Sequence, residues 1–166
     1  MLFAKWLLLM CMQGIDEKLV LVFLYAFSRF EYALKRSGYH GQDGKVAQAD
    51  WDRFENALTG LPPADLAPVL ALGDYTLAKP PKKQVVKGGG LNWEDSAPTA
   101  SEIKTLIIYV RRIRNNLFHG GKFPEGHVHD VARDTDLLRS GVSVLKALLT
   151  LPGLPAGIKH YFEEEG

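Results

Sequence analysis

Apolar residues recur at helical spacing in four long stretches, and each stretch stops at glycine or proline. The first runs from about Asp16 to Ser37 and ends at Gly38. The second covers Ala49–Thr59, with Trp51, Phe54 and Leu58 on one face and Gly60, Pro62 and Pro63 behind it. The third covers Ser101–Phe118 and stops at Gly120-Gly121, with Thr99-Ala-Ser-Glu102 as its capping box. The fourth covers His129–Thr150, with Val131, Leu138, Val142, Leu145 and Leu149 as its stripe and Pro152 beyond. Ala64–Leu72 reads as one further short helix, and Gln84-Val-Val86 is the one short strand candidate. Lys79-Pro-Pro-Lys-Lys83 and Lys87-Gly-Gly-Gly90 read as loop. The expected fold is all-α: an antiparallel four-helix-type bundle, one domain over residues 1–166, with a long basic loop between the second and third main helices.

With 166 residues and 46% hydrophobic content, the chain can bury a core without disulfides or metal. Its lone cysteine, Cys11, forms neither an internal disulfide nor a Cys-based zinc site, which suits a cytoplasmic protein. The apolar start, Met1–Met12, is too short to span a bilayer and lacks a good cleavage site. It reads as a segment that packs on the core or on a partner, and no membrane association is expected.

Projected at about 100° per residue, the third helix places Leu106, Ile107, Val110, Ile113, Leu117 and Phe118 in one stripe around Ile103. Arg114 falls in the middle of that stripe. In the first helix Glu31 sits in the middle of the stripe formed by Val20, Phe23, Leu24, Phe27, Phe30 and Leu34. An unpaired buried charge costs several kcal/mol, so Glu31 and Arg114 are expected to approach each other across the bundle. A pair that only fixes helix register satisfies the same pattern.

The formal net charge of +1 excludes a surface that is basic throughout. It conceals an acid-free run from Ile103 to Pro124 that holds Lys104, Arg111, Arg112, Arg114 and Lys122. Within that run Arg114 offers a permanently charged fork that matches phosphate oxygens. His119, placed just before Gly120-Gly121, can exchange protons near neutral pH. Asn115 stands one turn before His119 and can orient its ring or a ligand. An RNA 2′-hydroxyl would supply the nucleophile, so this chemistry requires neither metal nor cofactor. One histidine cannot conveniently serve as base and acid in a single step, whereas two copies related by a twofold axis can.

Arg114-Asn115-x-x-x-His119 resembles the signature of HEPN domains, a superfamily of helical ribonucleases and nucleotide-binding modules found in prokaryotic toxins and defence systems. The strings Arg-Asn-Asn-Leu-Phe-His-Gly-Gly-Lys122 and Phe27-Ser-Arg-Phe-Glu-Tyr-Ala-Leu-Lys35 are similar to a stand-alone bacterial subgroup, the pEK499 type. The resemblance implies a metal-independent endoribonuclease acting on single-stranded or loop RNA. It also implies a homodimer with a composite cleft, and an antitoxin or regulatory protein as a further partner. By the motif match Arg114 and His119 are the catalytic candidates and Asn115 the supporting polar residue; Glu31, located by periodicity, supports them, and Arg111 and Lys122, from the basic run, are the RNA-binding candidates. The alternative is a non-catalytic module that binds RNA, nucleotide or a protein partner.

The remaining candidates are weaker. His127 and His129 lack a convincing set of further ligands, Asp130 being the only neighbour, so no metal is expected. His40 and His160 stand alone. The loop lysines Lys79, Lys82, Lys83 and Lys87 form a phosphate-attracting rim if the loop folds near the motif. Tyr109, Phe118 and Trp93 are candidates for base stacking, although Phe118 equally suits the core. Gly88-Gly-Gly90 has no Walker Lys-Ser/Thr after it and is not a P-loop. Glu163-Glu-Glu165 reads as a solvated acidic end.

Overall fold

A computed structural model describes residues 14–42, 44–118 and 130–164. The apolar segment 1–13, and His119, Lys122, His127 and His129, lie outside the described residues. Seven helices and one hairpin follow in the order α1 (Glu17–Arg36), α2 (Trp51–Thr59), α3 (Pro63–Leu72), α4 (Asp74–Ala78), β1 (Lys83–Lys87), β2 (Gly90–Glu94), α5 (Glu102–Phe118), α6 (Val131–Leu148) and α7 (Ala156–Glu163).

Side-chain chemistry sets the helix ends. Asp16 caps α1 by accepting from the Lys18 N–H at 2.9 Å, and Asp50 and Asp130 cap α2 and α6 in the same way. At the far end of α1, Gly38 takes φ +90°. The Tyr39 N–H then reaches back to the Leu34 carbonyl and the Gly38 N–H to that of Lys35, a complete Schellman stop. The start of α5 differs from the expected capping box. Ser101 Oγ accepts from the Lys104 N–H at 3.4 Å, while Thr99 Oγ1 meets Thr105 Oγ1 at 2.9 Å. Glu102 is therefore the first helical residue and does not reach back to Thr99.

The all-α expectation is corrected by the hairpin. β1 and β2 pair antiparallel with Lys87 opposite Gly90 and Lys83 opposite Glu94. Gly88 and Gly89, read above as loop, both have positive φ (61° and 77°), the mark of a two-residue type I′ turn. The further additions are α4 and α7, helices that sequence periodicity did not single out.

α1 packs on α6 and α7, α5 lies against α2, α3 and α4, and α6 bridges the two groups. The shared core holds Phe23, Phe27, Phe30, Trp51, Phe54, Leu106, Leu138 and Leu145. At two positions the absence of a side chain leaves room for a neighbouring core residue. A Cβ on Gly141 would lie 2.7 Å from the Phe23 ring, and one on Gly73 2.3 Å from Leu106. The acidic end is more than a solvated tail. Arg29 of α1 donates through Nε and Nη2 to the Phe162 carbonyl (3.1 and 2.9 Å), and through Nη2 to those of Tyr161 (3.2 Å) and Glu164. One guanidinium thus satisfies the open carbonyls at the end of α7. Among the described residues no helix is long and apolar enough to cross a membrane.

Candidate functional site

Helix α5 presents three faces with three different tasks. Ile103, Leu106, Ile107, Val110 and Ile113 are buried in the core. The second face holds the hairpin. Tyr109 Oη donates to the Ser96 carbonyl at 3.0 Å, Arg112 donates to Ser96 Oγ, and Asn116 Nδ2 donates to the Lys82 carbonyl at 3.0 Å. From α6, Arg133 adds a 2.6 Å bond to the Pro80 carbonyl. The segment of basic residues between α4 and α5 is therefore anchored next to the Arg-Asn motif. Lys87 approaches Glu94 across the hairpin at 3.9 Å, and Lys82 approaches Asp95 just beyond its base at 3.7 Å. Burial pulls the Arg112 guanidinium below its usual pKa.

The third face carries Arg111 and Arg114. The structure gives Arg111 a buried partner: its Nη1 lies 2.7 Å from Glu55 Oε1 and 3.6 Å from Asp52. Glu55 is 1% exposed. Burial raises its carboxyl above the usual range, with the Arg111 hydrogen bond and charge pulling the other way. Arg111 also lies over the Trp51 ring at 5.5 Å, so it secures α5 to α2.

Arg114 and Glu31 do not form the expected ion pair. Glu31 Oε1 accepts from Trp51 Nε1 at 2.9 Å. The Arg114 guanidinium lies 5.6 Å from the Phe27 centroid and 4.8 Å from that of Phe118, and its Nη1 donates to Asn115 Oδ1 at 3.1 Å. Phe27 and Trp51 are themselves stacked at 5.3 Å. The two charges thus reach one aromatic cluster through different rings. The physical reason is that a buried indole N–H also requires an acceptor, and Glu31 supplies it. Among the described residues no carboxylate stands within ion-pair distance of Arg114.

Asn115 is exposed beside Arg114, and Phe118 ends the helix 58% exposed rather than in the core. Trp93 is half-buried in β2. The sequence reading placed Trp51 on the core stripe without its bond to Glu31, and it missed Glu55 altogether. Both lie on the inner stripe of α2, where the projection used for Arg114 shows Glu55 as a charge needing a cation. Among the described residues no group of three metal-ligating side chains occurs. Compared with models of known families, with curated proteins and with solved structures, the chain finds no match in any of the three.

Proposed function

We propose that the C-terminal end of α5 binds RNA phosphates and, together with His119, cleaves the strand without a metal. The carrying observation is Arg114: a half-buried cation near the Phe27 and Phe118 rings, beside Asn115, with no carboxylate partner among the described residues. No acid among the described residues neutralises it, which suits its charge to phosphate oxygens. The motif places His119 directly after Phe118 in the chain.

In this reading neutral His119 takes the proton from a ribose 2′-hydroxyl, and the 2′-oxygen attacks the adjacent phosphorus. The bond from phosphorus to the 5′-oxygen breaks, and the leaving oxygen takes a proton from a second, protonated histidine, the equivalent residue of a second copy. Arg114 stabilises the charge that builds on the phosphoryl oxygens. The products carry a 2′,3′-cyclic phosphate and a 5′-hydroxyl. A toxin-like or defence role follows from such an activity, with expression of the wild type slowing cell growth and the motif variants relieving it.

The test incubates a mixed RNA with the purified protein in EDTA, beside Arg114→Ala and His119→Ala. The wild type should cut, and each variant should lose at least ~100-fold in rate, the scale of removing one such group. Equal cleavage by all three proteins, or binding without turnover by the wild type, overturns the reading.

A further inference from the structure

The hairpin has one edge suited to pairing with another strand. In a hairpin closed by a two-residue turn, the residues flanking the turn exchange both hydrogen bonds, and every second pair repeats this. With Lys87 opposite Gly90, the groups of Gly90, Asn92 and Glu94 point toward β1. The N–H and C=O of Leu91 and Trp93 therefore face outward on β2, and those of Gln84 and Val86 face outward on β1. One face of the hairpin carries Gln84, Val86, Leu91 and Trp93, with Val86 and Leu91 75% and 71% exposed. A two-stranded hairpin with an open apolar face is marginal in water and gains from further strands.

We propose that two copies of this chain pair through their β2 edges, antiparallel and centred on Asn92. The strand is self-complementary in this register. Leu91 falls opposite the second copy's Trp93 on the shared apolar face, Gly90 falls opposite Glu94, and Leu91 and Trp93 supply the outward hydrogen bonds. No like charges meet. In the equivalent register the β1 edge is worse: a pairing centred on Val85 sets Lys83 against Lys87 twice, and like charges directly opposite are destabilising. The lysine-flanked β1 edge is therefore the poorer partner in that register. The contact is small and calls for a weak, concentration-dependent dimer.

This interface is separate from the twofold cleft invoked for catalysis. Asn116 ties α5 to the base of the hairpin, and antiparallel pairing places the two bases at opposite ends of the four-stranded sheet, about 16 Å apart for five residues. The proposal therefore stands or falls independently of RNA cleavage.

The test uses Cys11→Ser as background, removing the only native thiol. Asn92→Cys would sit at the centre of the pairing as a non-hydrogen-bonded pair, with Cα atoms about 4.5 Å apart, within disulfide reach. Lys87→Cys, exposed like Asn92, is the control on β1. In a glutathione buffer Asn92→Cys should form the linked dimer at least ~10-fold faster than Lys87→Cys, because pairing raises its effective concentration. Leu91→Pro removes an outward N–H and none inside the hairpin, so it should lower the sedimentation-average mass while leaving the helical circular dichroism unchanged. Equal linking rates for the two cysteines, or equal mass for Leu91→Pro and wild type, overturn the proposal.

Discussion

The Trp51 indole donates to Glu31 Oε1 at 2.9 Å, and that bond joins α2 to α1 at the centre of the aromatic core. It also decides how Arg114 is held. With the carboxylate engaged by the indole, the guanidinium rests on Phe27 and Phe118. The candidate site is therefore supported by a neutral ring cluster, with the acid one ring removed from the cation.

Breaking that bond from either side should weaken the fold. Glu31→Ala leaves the buried indole N–H without its acceptor and should cost ~1–3 kcal/mol in urea unfolding. Glu31→Gln keeps an oxygen acceptor and should cost less. A double-mutant cycle with Trp51→Phe isolates the pair, and additive losses would mean that it contributes nothing.

The Glu55–Arg111 pair predicts a pH-dependent loss. Burial holds the folded pKa of Glu55 above its unfolded value, so this group lowers stability as pH rises through that window. Arg111→Met removes the groups pulling the pKa down and widens the window. Because Arg111 is about one-third exposed, the expected loss at pH 7 is discounted to ~2–3 kcal/mol. It should shrink toward pH 5 as the carboxyl takes up a proton in the folded state. Unfolding curves at both pH values check this; a constant loss would contradict it.

Arg29→Ala uncaps α7. The carbonyls of Tyr161, Phe162 and Glu164 lose a charged donor, and ~1–3 kcal/mol of docking energy should go with it. Hydrogen exchange should speed up in residues 156–163 before it does in α5. Arg29→Lys should recover only part of the protection, since one ammonium cannot reproduce the planar fork.

Gly73→Ala should destabilise by ~1–3 kcal/mol through overpacking, because the new methyl meets Leu106, which is fully buried and cannot swing away. Thermal melts of Gly73→Ala, Leu106→Ala and the double variant check the contact. The double variant should be more stable than the sum of the single losses.

Phe118→Ala separates a positioning role from a structural one. The ring is 58% exposed, so stability should change by no more than ~0.5 kcal/mol. Removing one of the two rings over Arg114 should nevertheless slow RNA cleavage by ~10-fold, through a change in kcat as the guanidinium loses its fixed position. Wild-type kinetics in this variant would remove Phe118 from the site.

Helical periodicity was legible because it is a local property. The capping aspartates Asp16, Asp50 and Asp130 and the Gly38 stop stand in the sequence where the helices begin and end. The two-residue turn was hidden because Gly88-Gly-Gly90 has the composition of a linker, and only a register with Lys87 opposite Gly90 makes it a hairpin. α7 was hidden because much of what holds it comes from Arg29, 133 residues earlier than Phe162. In the candidate site, periodicity located both Glu31 and Arg114 on buried stripes, yet not their partners. The choice between an indole and a guanidinium for Glu31 depends on how three helices meet, which no single stripe contains.

The Arg29 clasp also bears on how the chain reaches this state. α1 is synthesised early, while the helix that covers part of its flank follows more than a hundred residues later. Until residues 156–163 are available, that flank of α1 stays open to other proteins and to unproductive contacts. Closing so distant a contact is intrinsically slow. The interval between making the two helices is therefore the window in which a chaperone would find the most to bind.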